Sequence, residues 1–161
     1  MKHRLVKSQL VDDEIHLYSD VDISVVVGVE GGVSTPIILG ANRKVIYDIA
    51  NEIRQLAARA AADQLQMSEN VGGSFSISNL GSLDEVQFDA IINPPQCAVL
   101  ALGRIGRNVT MDESGAVRSV SILCATLPID HRAIDGVIGA AFLGTLQKIL
   151  QQPKQIFASK A

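Results

Sequence analysis

At 161 residues, with 47% hydrophobic and 19% charged, the chain has the length of one domain and enough apolar material for a core, which excludes a disordered protein. A formal net charge of −3 and a pI near 5.5 leave no basic surplus, so no nucleic-acid partner is expected. No apolar stretch reaches the roughly 18 residues of a membrane helix, and no His, Cys or acidic cluster has metal-ligand spacing, so neither a membrane nor a metal is expected.

The N-terminal MKHRLVKSQ is basic but runs straight into Asp12-Asp13-Glu14 with no hydrophobic segment behind it, unlike a secretory signal. An intracellular protein is the expectation. Val21 to Val29 is rich in β-branched residues and almost wholly apolar from Ile23, which predicts a strand covered on both faces. Gly31-Gly32 is expected to break it, and Thr35 to Leu39 reads as a short second strand. Ile46, Ile49, Ile53, Leu56, Ala57 and Ala60 fall on one stripe at helical spacing, with Asn42 as the candidate cap. Gly72-Gly73 opens an alternating strand, Ser74 to Ser78, closed by Asn79-Leu80-Gly81.

Ser82 to Gln87 is a polar connection, and Pro94-Pro95 marks an extended turn before the apolar strand Cys97 to Leu102. Asn108 to Met111 and Val117 to Leu127 flank Asp112-Glu-Ser-Gly115 and predict a hairpin. A last helix starts near Asp135, with Val137, Ile138, Ala141, Phe142, Thr145, Leu146 and Ile149 along one side and Pro153 beyond its end. Cys97 and Cys124 lie inside apolar runs and read as buried, inert thiols. The order of elements is mixed, an α+β fold with antiparallel pairing among its later strands.

One stretch carries candidate chemistry: Asp130-His131-Arg132-Ala133-Ile134-Asp135-Gly136, at the junction between a long strand and a helix. Such a junction can present a base to a cleft. An imidazole, with an ordinary pKa of about 6.5, suits removal of a proton from a thiol, whose ordinary value of about 8.5 leaves it mostly un-ionised at neutrality. On residue types alone the segment stays open. Asp135 can simply cap the helix, Asp130 and Arg132 can pair in solvent, and His131 can be a surface group.

His131-x-x-x-Asp135-Gly136, within DHRAIDG, resembles the signature of the 2-oxo acid dehydrogenase acyltransferases, the lipoate-dependent relatives of chloramphenicol acetyltransferase. Gly73-Ser-Phe-Ser-Ile-Ser-Asn-Leu-Gly81 and Ile92-Asn-Pro-Pro-Gln96, followed by Cys97 to Gly103, resemble two further segments of that family in the same order. The resemblance runs from about Glu14 to Phe157. It implies a chloramphenicol acetyltransferase-like mixed sheet with helices packed on it. The pattern joins near Val21, which implies a fold incomplete at the N-terminus: residues 1–161 as the C-terminal part of a catalytic domain, without lipoyl or subunit-binding domains.

The resemblance also implies roles. His131 would be the general base, Ser78 the hydroxyl that donates to a tetrahedral oxyanion, and Asp135 the carboxylate that holds the loop. Asn79, Asn93 and Arg132 would line the substrate, while Pro94 and Pro95 shape its surroundings. No cofactor would be tightly bound; coenzyme A would be a substrate, and the lipoyl group would come from a domain outside this sequence. The implied partners are a homotrimer, a higher-order core, and the dehydrogenase and dihydrolipoamide dehydrogenase components, in the bacterial cytoplasm or the mitochondrial matrix. Ile77-Ser-Asn-Leu-Gly81 leans toward acetyl or branched-chain rather than succinyl transfer. An assembly core without turnover, and a wider-superfamily acyltransferase with another acceptor, are the competing readings. The second is weakened by Asp130, where distant relatives often carry a second histidine.

Overall fold

The computed structural model describes residues 2–154; Phe157, where the resemblance ends, lies outside them. The chain begins with a 3-10 turn, Arg4–Lys7, and a hairpin of β1 (Ser8–Val11) and β2 (Glu14–Leu17), with left-handed Asp12 and Asp13 at its tip. Next come β3 (Ile23–Val29), β4 (Gly32–Ser34) and β5 (Ile37–Ile38), then helix α1 (Ile46–Ala61). The second half holds β6 (Phe75–Asn79), β7 (Val99–Met111), β8 (Val117–Thr126) and helix α2 (Gly136–Gln151). The main sheet runs β4-β3-β6-β7-β8, with β5 also paired to β3. Its middle pairs, β3 with β6 and β6 with β7, are parallel, and β7 with β8 is antiparallel. The expected α+β class is what the chain adopts.

Alternation along β6 sorts the two faces. Phe75 and Ile77 point to a core that gathers Val6, Cys97, Ala98, Leu100 and Ile134, closed by Ile138, Phe142, Leu143 and Leu146 of α2. Ser74, Ser76 and Ser78 alternate with them and are buried on the opposite face. Against β3 and β5 lies α1, whose Leu56 and Ala60 are buried.

Several elements differ from expectation. β3 is half-buried rather than enclosed, with only Ser24 buried. Gly31, at a left-handed φ of 80°, does not end the strand but turns it back, so that Gly32–Ser34 pairs with Val27–Val29. Asn42 does not cap α1: Val45 holds that position, and Asn42 Oδ1 accepts from the Val21 amide at 3.0 Å. In α2 the packed stripe centres on Ile138, Phe142 and Leu146, while Val137 is 79% exposed. Cys124 is only half-buried. The predicted strands Cys97–Leu102 and Asn108–Met111 merge into one continuous strand, β7, which starts at Val99 rather than Cys97 and has its register shifted between Leu102 and Ile105.

That irregularity is built around Gly103. A Cβ there would stand 2.0 Å from the Val86 carbonyl oxygen, because the connection from β6 crosses the strand at this point and Glu85 accepts the Arg104 amide at 2.6 Å. Backbone cannot yield as a side-chain tip can. Gly103→Ala is therefore expected to lower the urea midpoint by the equivalent of about 1–3 kcal/mol, whereas Gly106→Ala, whose new methyl would meet only the Arg104 guanidinium at 3.5 Å, leaves it within experimental error. Equal midpoints for the two variants would remove this account of the bulge.

Candidate active site

β8 does not stop at its last ladder residue. Leu127 to Asp130 continue alongside the start of β7: Val99 donates to Pro128 O at 3.2 Å, Ala98 and Ile129 form a bridge, and Asp130 donates to Cys97 O at 2.8 Å. The chain then turns at once. The Asp130 carbonyl accepts from both Ala133 and Ile134, each at 3.0 Å, so His131 and Arg132 form the tip of a tight loop. Ile134, fully buried, plugs that loop into the core; burying such a side chain is worth roughly 2–3 kcal/mol. Asp135 then caps α2, its Oδ1 accepting from the Ile138 amide at 2.8 Å.

The charges of the loop are internally paired. Asp130 accepts from Arg132 Nη2 at 2.7 Å, from Arg132 Nε at 3.0 Å and from the Arg132 amide at 3.0 Å. The Arg132 side-chain bond, then its backbone bond, hold the Asp130 carboxyl below the usual carboxylate range. All three alternatives that residue types left open are thus realised: Asp135 caps the helix, Asp130 pairs with Arg132, and His131 lies at the surface. His131 itself is exposed, and its ring makes no hydrogen bond among the described residues. Structural duties fall on its neighbours, and the imidazole stands free.

Ser78 lies on β6 in register with Val26 of β3 and Ala101 of β7. It is buried, yet its hydroxyl is committed to no hydrogen bond among the described residues, unlike the backbone-bonded hydroxyl that a strand end would otherwise supply. The register separates it from His131. Ala101 pairs with Thr126, and the extended run continues four residues to Asp130 before the turn that carries His131, so the two groups stand roughly 13 Å apart along the strands and roughly 10 Å across them. They do not meet within one chain.

The remaining expected site residues are dispersed. Asn79, exposed, accepts from the Gly81 amide at 2.9 Å through Oδ1 and shapes the turn after β6. Asn93 is exposed in the segment leading to β7, with its carbonyl accepting from the Gln96 amide at 3.0 Å. Arg132 is held by Asp130. The Cys97 thiol is buried in the core, and burial pushes it up, away from thiolate chemistry. No group of three potential metal ligands occurs among the described residues, and no helix there is long and apolar enough to cross a membrane. Sequence reasoning overlooked Gln96, a buried amide whose signal was visible: a polar residue directly ahead of the apolar run Cys97 to Leu102.

Two measurements test the loop. Asp135→Ala should cost about 1 kcal/mol in urea unfolding while Asp135→Asn, which keeps a capping oxygen, costs a few tenths; equal losses would mean the cap is not what Asp135 contributes. Asp130 has a folded-state pKa below its unfolded value, so its stabilisation is present above the ordinary carboxylate pKa of about 3.9 and lost as pH falls through the lower folded value. The stability gap between the wild type and Asp130→Asn should therefore be present at pH 6 and narrow as the pH falls below the ordinary carboxylate range. A gap independent of pH would show that the ion pair contributes nothing.

Comparison with known proteins gives a consistent picture. A family model described as 2-oxoacid dehydrogenases acyltransferase (catalytic domain) matches residues 1–158, so the match begins well before Val21 and takes in the β1-β2 hairpin. The dihydrolipoyllysine-residue acetyltransferase component of the pyruvate dehydrogenase complex of Rickettsia bellii is 39% identical over 142 residues, covering 88% of this chain and 34% of that protein. The mitochondrial counterpart from Caenorhabditis elegans is 40% identical over 147 residues, 91% of this chain and 29% of that protein. The chain thus spans about a third of the length of the curated relatives it matches. Among solved structures, Azotobacter vinelandii dihydrolipoamide acetyltransferase, studied for the roles of a serine, a histidine and an asparagine in its catalytic mechanism, superposes with a TM-score of 0.90 at 26% identity. The likeness covers 97% of this chain and 65% of that one. The cubic core of a pyruvate dehydrogenase multienzyme complex gives 0.90 at 25% identity, over 97% and 65%.

Proposed function

Because this chain belongs to the family of 2-oxoacid dehydrogenase acyltransferase catalytic domains, we propose that it transfers an acyl group between a dihydrolipoyl thioester and coenzyme A, with His131 as base and Ser78 as oxyanion donor. Residues 1–161 would be the C-terminal part of that catalytic domain, and the lipoyl group would arrive on another domain. One observation carries the reading. The loop Asp130–Asp135 spends its backbone and its charged side chains on holding its own shape, and leaves one imidazole uncommitted at its tip.

The chemistry follows from that placement. The neutral imidazole takes the proton of the incoming thiol, and the thiolate attacks the thioester carbonyl carbon. A tetrahedral oxyanion forms, and the Ser78 hydroxyl, which no other group of the described chain engages, donates a hydrogen bond to it. Collapse breaks the old carbon–sulfur bond, and the departing thiolate recovers the proton from the imidazolium. Neither acid nor base is consumed. Asp135 serves by holding the loop; Asn79, Asn93 and Arg132 are the side chains proposed to meet substrate around it.

The separation of His131 from Ser78 supports a site shared between chains, the histidine of one facing the serine of the next, in a homotrimer. Exposed apolar side chains support association as well: Ile105, Val109 and Met111 on β7, with Val117 and Ile122 on β8, stand on a hairpin arm that projects past the rest of the sheet. By analogy with the relatives, trimers would build a larger core that serves dehydrogenase and dihydrolipoamide dehydrogenase partners. The acetyl group of pyruvate oxidation is the favoured acyl group, since both curated relatives above carry that name. Bacterial cytoplasm or mitochondrial matrix would be the setting.

Mixing variants tests the shared site directly. His131→Ala should abolish acyl transfer from acetyl-coenzyme A to dihydrolipoamide, and Ser78→Ala should lower kcat about 100- to 1,000-fold. Co-refolded in equal amounts, the two inactive variants should recover about a quarter of the wild-type rate, because a quarter of the interfaces then pair an intact histidine with an intact serine. A mixture as inactive as its components would rule out a site built from two chains. Trimers of wild type that lack turnover would instead establish an assembly core.

A further inference from the structure

We propose that Gln96 is a positioning residue for this reaction, tying the strand that carries Ser78 to the strand end that displays His131; the inference rests on the acyl-transfer reading above. Gln96 is buried between the Pro94-Pro95 turn and β7, and its amide is fully used. Oε1 accepts from Ser76 Oγ at 2.5 Å, while Nε2 donates to Ser24 Oγ at 3.1 Å and to Gly73 O at 2.9 Å. Ser24 and Ser76 are register partners on β3 and β6, so one side chain fastens both strands. The Gly73 carbonyl also accepts from Gln9 Nε2 at 2.9 Å, and Gln9 Oε1 accepts from the Tyr18 hydroxyl at 2.6 Å, which brings the N-terminal hairpin into the same network. Nothing larger fits at its centre: a Cβ on Gly73 would lie 2.0 Å from Ser24 Oγ.

The backbone next to Gln96 leads to the loop. Cys97 donates to Ser8 O at 3.1 Å on one side, and its carbonyl accepts from Asp130 at 2.8 Å on the other. From Ser76, two positions before Ser78 on the same face, the path to Asp130, one position before His131, runs through a single side chain and one peptide link. An apolar residue would fill the volume without fixing a direction; three directional hydrogen bonds fix the register of β3 and β6 against the start of β7. In a shared-site oligomer each chain gives His131 to one site and Ser78 to another, so this link sets the spacing of the two half-sites. Displacements of about 1 Å in such geometry cost orders of magnitude in rate.

Two variants separate positioning from packing. Gln96→Met removes the partner of the Ser24 and Ser76 hydroxyls and leaves the Gly73 carbonyl with Gln9 alone, so it should lose stability. The triple variant Ser24→Ala/Ser76→Ala/Gln96→Met removes the stranded hydroxyls and should regain most of that loss. In both, amide exchange at Asp130 should quicken about tenfold while that at Leu56 in α1 stays unchanged, and kcat should fall about tenfold with KM for coenzyme A unaltered. A triple variant with wild-type exchange at Asp130 and wild-type kcat would overturn the proposal and leave Gln96 a space-filler. Should wild-type protein itself prove inactive, the acyl-transfer reading falls alone, and exchange at Asp130 still decides whether Gln96 holds the loop.

Discussion

The hydrogen bond from the Asp130 amide to the Cys97 carbonyl is the constraint on which the site depends. It is the last contact between β8's extension and the sheet before the chain turns. Beyond it, the next fixed points are Ile134, sunk in the core, and the capped start of α2. Three residues thus span a gap closed at both ends by backbone hydrogen bonds and buried apolar surface. Little freedom remains for His131 beyond its own side-chain rotamers. A side chain placed this way needs no further contact to fix its backbone, and the His131 ring has no hydrogen-bond partner among the described residues.

The electrostatics of the loop follow the same division of labour. Asp130 lies next to the histidine in sequence and would be the obvious carboxylate to orient its ring. Its oxygens instead accept from the Arg132 guanidinium and the Arg132 amide. The pair neutralises itself and stiffens the tip. Asp135 likewise spends an oxygen on the helix end. Whatever meets the imidazole therefore comes from outside the loop.

Much of this was legible in the sequence, and the reasons for the failures are physical. Strands β3 and β6, helix α1 and the α2 cap at Asp135 were visible because periodicity and terminus chemistry are local signals. Asn42 misled because a side-chain amide suited to capping found a competing partner in the Val21 amide, a contact between segments that local spacing does not encode. Val137 misled because the stripe rule fixes a helix face only to within a turn, and contact with Phe75 decided its rotation. The continuity of β7 was missed because its register shift lies between the two predicted strands, at Gly103 and Arg104, where the segment at Glu85 and Val86 crosses it. His131 and Ser78 were legible as motif members; their separation was not, since register between β6, β7 and β8 is a tertiary fact.

That separation gives the buried polar stripe its meaning. A sheet strand whose inner face reads Ser74, Ser76, Ser78 forgoes apolar burial at three successive positions. Ser74 recovers part of the loss by donating to Asp22 O at 3.2 Å, and Ser76 by donating to Gln96. Ser78 recovers nothing within its own chain. Ser78 Oγ is not among the buried side-chain oxygens left without a partner, so the hydroxyl reaches solvent at the edge of a residue that is otherwise buried. An uncommitted hydroxyl that opens to solvent from a buried strand face is what the shared-site proposal asks of Ser78, since its own chain holds His131 too far away to meet it.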